Sequence, residues 1–395
     1  MIPRAVDVLL KKLANQFPAV LFLGPRQCGK TTLAKSSLQA KYFDLEMNSD
    51  RSVFEADPEL AIRRIPGPIV FDESQTMPAL FPTLRALIDE RRDKAGQYYL
   101  LGSVNPSLVR GISESLAGRV GILELTPFLY RELMGLNLNA HDTLWLRGGY
   151  PDAFLAKDPE AWKLWCENYI RTFVERDIAR SGLDFSAPEM RKFMTMIAHS
   201  HGGLLNSSDF GRSLGISYHT VNKSLDIIEG HFLIRRLPPY FANIGKRLVK
   251  APKLYIRDSG LLHYMLGVCV NSDLITSPAR GRSWEGFMVE QVIAGEEAFG
   301  HGSQFYFYRT HTGTEIDLVV DRGQKRIGYE FKCSSSVSPD DSAGLRQGIE
   351  DGIIHEGIVA YPGRRSFPVS DTVSVVTAEE LLGRLTMDSG RTALA

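Results

Sequence analysis

Residues 24–31 read Gly-Pro-Arg-Gln-Cys-Gly-Lys-Thr and fit the spacing G-x-x-x-x-G-K-[ST]. A loop of this composition handles phosphate. Its glycines let the backbone curl until successive N–H groups face an anion, Lys30 reaches the terminal phosphates, and the Thr31 hydroxyl is offered to Mg2+. An apolar run, Ala19–Leu23, precedes the loop, and a helix-prone run, Thr32–Lys35, follows it. A strand and the positive end of a helix dipole would therefore flank the anion. The expected nucleotide contacts are Gly24, Pro25, Arg26, Gln27, Cys28, Gly29, Lys30, Thr31 and Thr32.

A second element points to the same chemistry. Ile69-Val70-Phe71-Asp72-Glu73 reads as a buried strand ending in two carboxylates. Asp72 is placed to hold the Mg2+ shell, and Glu73 is the natural general base for an attacking water. A third apolar run ends in Leu100-Leu101-Gly102-Ser103, where Ser103, or failing that Asn105, would touch the γ-phosphate or orient water. Arg119 is a candidate arginine finger, acting in cis or from a neighbouring subunit, so an oligomer is compatible with this reading. ATP and Mg2+ are the expected ligands.

Two further constellations lie downstream. In Glu330-Phe331-Lys332 the period of two places Glu330 and Lys332 on one face of a strand, with Asp317 on the strand before. A tight turn at 321–324 sets Asp317 opposite Gly328, and a wider loop sets it opposite Glu330; both keep it on the same face. Gly281–Gln291 reads as a helix carrying Glu285 and Glu290. Between these regions, Ser207–Gly230 has the rhythm of a helix-turn-helix, its second helix facing inward with Val221, Leu225 and Ile228 and outward with His219, Asn222 and Lys223. Then 230–257 carries Arg235, Arg236, Lys246, Arg247, Lys250, Lys253 and Arg257 without an acid before Arg257, with Tyr240 and Phe241 interleaved. That suits a winged helix whose wing meets phosphates of duplex DNA; a packing or protein-binding module is the competing expectation.

Gly-Pro-Arg-Gln-x-Gly-Lys-Thr-Thr-Leu at 24–33, Asp-Glu-Ser-Gln at 72–75, Gly102-Ser103 and Ser115–Arg119 together resemble the prokaryotic AAA-type ATPases close to the signal-transduction ATPase branch. Pro127-Phe128 with Glu132, Gly148–Pro151 and Arg176-Asp177 extend the likeness over nearly the whole chain. The resemblance implies a C-terminal domain of unknown function and nucleotide-driven switching or remodelling. Separately, an acid on a helix, Asp317 on one strand and Glu330-x-Lys332 on the next resemble the restriction-endonuclease-like, or PD-(D/E)xK, fold. That likeness implies that Asp317 and Glu330 bind Mg2+, that Lys332 orients or deprotonates water, and that Glu285 supports them.

The elements that must position these groups follow from the pattern. Strands alternate with helices up to about residue 101, the signature of a parallel sheet covered on both faces. Helical texture runs from Pro159 to about Arg236, and strands return at 305–309, 315–320, 326–333 and 357–361. The expected fold is α/β: an AAA-type P-loop domain over 1–140, a helical and winged-helix region over 141–280, and a restriction-endonuclease-like domain over 281–390. The 395 residues carry 46 basic and 46 acidic side chains, so no global field draws the chain to nucleic acid or membrane. Four separated cysteines suggest neither disulfides nor a zinc site, and no leader or membrane-length apolar run stands out, so a cytoplasmic setting is expected. An ATP-gated Mg2+-dependent nuclease and an ATPase regulator of protein partners are the two alternatives to a DNA-contacting switch.

Overall fold

A computed structural model describes residues 2–102, 115–136, 140–174, 185–241 and 249–384. The chain forms two compact units, Met1–Phe128 with Gly230–Phe232, and Leu129–Glu229 with Leu233–Ala395.

In the first unit five parallel strands, β1 (Ala19–Leu23), β2 (Lys41–Asp44), β3 (Ile69–Asp72), β4 (Tyr98–Leu101) and β5 (Val120–Glu124), line up in the order β2-β3-β4-β1-β5. Strands β3 and β4 are buried along their whole length, which is why they read as continuous apolar runs rather than alternating ones. The helix Leu80–Glu90 packs Leu84, Leu87 and Ile88 into one core with Leu21, Phe71 and Leu100. Strand β4 lies between β1 and β3, as the sequence implied, so its end falls between the phosphate loop and the acidic strand end. Strand β5, which the sequence pattern did not signal, pairs with β1 over Ala19–Leu23.

The second unit holds two sheets. The helices Ala187–His199, Ser207–Leu214 and Tyr218–Gly230 pack with a three-stranded antiparallel sheet of β6 (Gly203–Leu204), β7 (Ile234–Leu237) and β8 (Lys253–Ile256), in the order β6-β8-β7. The inward residues Val221, Leu225 and Ile228 of the last helix are buried as read from spacing. Helical texture therefore ends at Gly230, before the expected Arg236, because Ile234 and Leu237 are drawn into the sheet.

The long helix Arg280–Phe299 then leads into β9 (Gln304–Arg309), β10 (Glu315–Asp321) and β11 (Arg326–Phe331), an antiparallel meander. A helix, Ala343–Glu350, crosses to β12 (Glu356–Tyr361), which runs parallel to β11, and β13 (Phe367–Pro368) and β14 (Val373–Thr377) complete the order β13-β14-β12-β11-β10-β9. The free edge of β9 is not open: Tyr240 N donates to Phe307 O at 2.7 Å and Phe307 N to Pro238 O at 3.0 Å. Residues 238–240, just beyond β7, thus extend this sheet. No helix among the described residues is long and apolar enough to cross a membrane.

Candidate functional site

The phosphate loop leaves the end of β1 at Gly24. Its φ of +148° and a would-be Cβ 2.1 Å from the Leu125 carbonyl oxygen allow only glycine there. The loop closes on the helix Lys30–Ser37, whose first residue is largely buried. Lys30 Nζ donates to the carbonyls of Gly24 at 2.9 Å and Pro25 at 2.8 Å. Pro25 and Cys28 are buried in the loop, Arg26 is half-buried, and Gln27 and Thr32 are exposed.

The strand ends converge as expected. Thr31 Oγ1 donates to Asp72 Oδ2 at 2.6 Å, joining the helix start to the end of β3. Asp72 Oδ1 accepts the backbone N–H of Glu73 at 2.9 Å. Glu73 itself sits in the left-handed region at φ 50° and ψ 42°, a costly conformation for a side chain other than glycine and one that collects at functional sites. The Gln75 amide donates to the Glu73 carboxylate.

Two residues were missed from sequence. The Tyr42 hydroxyl donates to Asp72 Oδ2 at 2.7 Å, and burial together with the Asp72 charge holds its pKa well above the usual phenol. Arg4 donates to Cys28 O at 3.0 Å and to Thr126 O at 2.7 Å, tying the phosphate loop to the segment after β5. Neither belongs to a spacing pattern; each acquires its role from chain that is distant in sequence.

Ser103 and Asn105 lie outside the described residues, as do Arg176 and Asp177. Arg119 is placed differently from the expectation of a finger in cis. Its carbonyl accepts from Ala19 N, at the start of β1, whereas the phosphate loop follows the end of that five-residue strand. At about 3.3 Å per residue the two ends lie on the order of 15 Å apart. The guanidinium is moreover held by Asp89 through two bonds of 2.8 Å.

The donor set fits a metal-bound nucleotide. A largely buried ammonium rests on two neutral carbonyls that an anion can displace, and a hydroxyl and a carboxylate 2.6 Å apart stand beside it. Thr31 and Asp72 would hold Mg2+.

In the second unit the ladder between β10 and β11 pairs Leu318 with Tyr329, which continued by one residue brings Asp317 to Glu330. That is the wider of the two loops anticipated. On its other side, towards β9, β10 carries a bulge between Ile316 and Val319, the interval that holds Asp317 and Leu318. Asp317 Oδ2 accepts from Phe331 N at 3.0 Å, and Lys332 Nζ donates to Glu330 Oε1 at 2.9 Å. Burial, and after it the neighbouring Asp317, raises the Glu330 pKa above the carboxylate range.

A residue outside this constellation enters it. Lys253 of β8 is 2% exposed, and its ammonium lies 2.8 Å from Glu285, 2.7 Å from Glu315 and 3.4 Å from Asp317. Burial opposes its charge, yet Tyr255, Asp317, Glu285 and Glu315 outweigh that and hold its pKa well above the lysine range. One ammonium does not neutralise three carboxylates, and Asp317, buried and facing Glu285, has its pKa pushed up. Among the described residues no three His, Cys, Asp or Glu side chains are grouped to hold a metal ion.

The basic stretch is also differently used. Arg235 and Arg257 both bond Glu290, at 2.9 and 2.6 Å. Arg236 bonds Glu229 and Asp226, each at 2.7 Å. With Lys253, four of the seven cations read as phosphate contacts are paired with carboxylates, and for Arg235, Lys253 and Arg257 adjacent sequence did not show it because Glu285 and Glu290 lie on a helix far along the chain. Lys246 and Arg247 fall outside the described residues, and Lys250 is exposed.

An AAA domain model matches residues 16–134, and two domains of unknown function, DUF8612 and DUF4143, match 138–271 and 280–381. Uncharacterized proteins of Mycobacterium tuberculosis and Mycobacterium bovis are each 40% identical over 376 residues, spanning 94% of this chain and 83% of theirs. A solved Walker-type ATPase of Pyrococcus abyssi is 16% identical with a TM-score of 0.47, over 67% of this chain and 96% of that one.

Proposed function

The chain belongs to the same family as the two mycobacterial proteins, its N-terminal unit is a P-loop ATPase of the AAA type, and we propose that Mg2+-dependent ATP hydrolysis there drives a switch read out by the C-terminal unit. The observation that carries this reading is Lys30, a buried cation bonded to loop carbonyls beside the Thr31–Asp72 pair. Lys30 would exchange the Gly24 and Pro25 carbonyls for phosphate oxygens, with the loop N–H groups and the following helix start completing the anion cradle. When bound, Mg2+ supplies charge neutralisation across the phosphates. Glu73, aimed by its left-handed backbone and restrained by Gln75, would accept the proton of the attacking water.

The test is a fluorescent-nucleotide titration with Lys30→Ala and Glu73→Gln. Lys30→Ala is expected to lose binding, and Glu73→Gln to bind ATP while turnover falls by about 100-fold or more. Normal ATP binding by Lys30→Ala would overturn the assignment.

For the second unit we propose a middle region, 141–280, and a C-terminal domain, 281–390, a reading that its two separate sheets support. The helix–helix–helix arrangement with sheet order β6-β8-β7 supports a winged helix. Contact with duplex DNA would fall on the exposed face of Tyr218–Gly230, where Tyr218, His219 and Lys223 are free of the core. The internal pairing of Arg235, Arg236, Lys253 and Arg257 disfavours a wing-borne phosphate contact and favours a protein partner. Fluorescence anisotropy against duplex DNA separates the two: a steep loss of affinity with salt supports DNA, and no binding at low salt leaves the protein partner. The helix, three-strand meander, helix and parallel strand from Arg280 to Tyr361 support a restriction-endonuclease-like fold. Mg2+-dependent cleavage lost in Asp317→Ala or Lys332→Ala would establish an active nuclease.

A further inference from the structure

We propose that Arg4 is a positioning residue of the nucleotide site, coupling the phosphate loop to the segment 125–128 so that occupancy of the loop is passed on to that segment. The proposal rests on the ATPase reading and deepens it by naming how the site is read out.

Arg4 reaches the loop from a rigid base. Ala5, Val6 and Leu10 beside it are buried, and the helix Asp7–Gln16 that follows packs closely on β5. A Cβ added to Gly121 of that strand would lie 2.8 Å from the Phe17 ring and 3.0 Å from the Leu13 side chain. The guanidinium then spans two pieces of chain that are far apart in sequence. One terminal nitrogen donates to Cys28 O at 3.0 Å. The other donates to Thr126 O at 2.7 Å and to Pro127 O at 3.4 Å. The same group stands over the Phe128 ring, 5.1 Å from its centroid.

The bond to Cys28 acts on the part of the loop that would meet phosphate. The Cys28 carbonyl and the Gly29 N–H belong to one peptide group, and Gly29 caps the helix that carries Lys30 and Thr31. A cation on that carbonyl polarises the group and makes its N–H a stronger donor toward an anion. Arg4 therefore acts on the nucleotide through the backbone.

The other end of the loop meets the same segment. Leu125 N donates to Leu23 O at 2.8 Å, and Gly24 packs so closely on the Leu125 carbonyl that no side chain fits between them. The loop is thus held against 125–128 by close packing at Gly24 and by Arg4 at Cys28. A planar fork of fixed geometry cannot follow the Cys28 carbonyl without moving or releasing the Thr126 carbonyl. The chain enters the second unit at Leu129, so the coupled segment is the one by which it leaves the first.

Hydrogen–deuterium exchange of the full chain, read over 120–130 with and without Mg2+ and the non-hydrolysable adenylyl imidodiphosphate, tests this beside ATP kinetics. Wild type is expected to change its exchange there when the analogue binds. Arg4→Gln is expected to raise the KM for ATP by about tenfold, as the loss of one charge-assisted hydrogen bond would, with the effect falling on KM rather than kcat. At saturating analogue its exchange over 120–130 no longer responds. A wild-type KM in Arg4→Gln would overturn the proposal, as would an undiminished exchange response. If Arg4→Gln does not fold, Arg4→Lys, which keeps the charge without the fork, is judged on the same two readouts, and wild type alone decides if neither variant folds. Wild type that binds the analogue with no change over 120–130 refutes the coupling and leaves the ATPase reading standing. Wild type that binds no analogue refutes both.

Discussion

The hydroxyl of Tyr42 and the carboxylate of Asp72 are joined by a hydrogen bond of 2.7 Å, made to the same oxygen that accepts from Thr31. Asp72 Oδ2 is therefore held from both sides, by a neighbouring strand and by the helix that follows the phosphate loop. The phenol acts through the acid rather than on the nucleotide, which makes Tyr42 a positioning residue.

Tyr42→Phe removes one hydrogen bond to a charged group, an interaction of about 1.5–3 kcal/mol, and is expected to slow ATP turnover by about tenfold. The KM for ATP should change little, while the Mg2+ concentration giving half-maximal rate should rise. Steady-state rates across a Mg2+ series check this; an unchanged Mg2+ dependence would assign Tyr42 to packing alone.

Arg119 faces away from the phosphate loop and pairs with Asp89. Arg119→Ala is accordingly expected to leave single-turnover ATP hydrolysis by the dilute chain unchanged. A drop that appears only as protein concentration rises would instead identify Arg119 as a group donated to another copy.

Gly148 stands at φ +80°, and a Cβ added there would lie 2.1 Å from Asp258 Oδ1. Asp258 accepts from the Gly149 and Leu261 amides, at 2.8 and 2.9 Å, and so links the 148–151 turn to the start of the helix Ser259–Met265. Gly148→Ala combines a forbidden contact with left-handed strain and is expected to cost more than about 2 kcal/mol in urea unfolding of the second unit. An effect below about 0.5 kcal/mol would show that this junction yields freely.

His263 is buried between the Leu146 carbonyl, 2.9 Å from Nδ1, and Ser283 Oγ, 2.6 Å from Nε2. Nδ1 must donate to the carbonyl, and in the neutral ring that burial favours Nε2 accepts from the serine. Burial lowers its pKa from 6.5 to about 4. The unfolded chain thus binds a proton that the folded one refuses. The associated stability is present above pH 6.5 and is lost as pH falls toward 4, by about 3 kcal/mol over that window. Asp258, raised to about 6 by burial, acts with opposite sign below that pH. Subtracting the unfolding profile of His263→Gln from that of wild type isolates the imidazole; parallel profiles would mean that the folded protein accommodates its charge.

Sequence carried some of this and not the rest, for physical reasons. The phosphate loop was legible because its glycines, Lys30 and Thr31 act within eight consecutive residues. The facing of Asp317 and Glu330 was legible because a strand repeats every two residues. That Arg119 lies beside the start of β1, away from a finger in cis, was not legible, because proximity in sequence to strand ends does not say at which end of a strand a residue lies. The basic stretch misled because Arg235 and Arg257 find Glu290, and Lys253 finds Glu285, on a helix that only folding brings near. Tyr42 and Arg4 left no signal: an aromatic on a strand and a cation near the N-terminus become meaningful only through the distant groups they meet.

The two carbonyls that receive Lys30 act as an internal competitor for phosphate. Because Gly24 and Pro25 satisfy the ammonium when no anion is present, an emptied pocket holds no stranded buried charge. A nucleotide that takes up Lys30 would have to replace these two bonds. The loop therefore supplies the lysine with acceptors of its own, which would have to yield to an incoming phosphate oxygen.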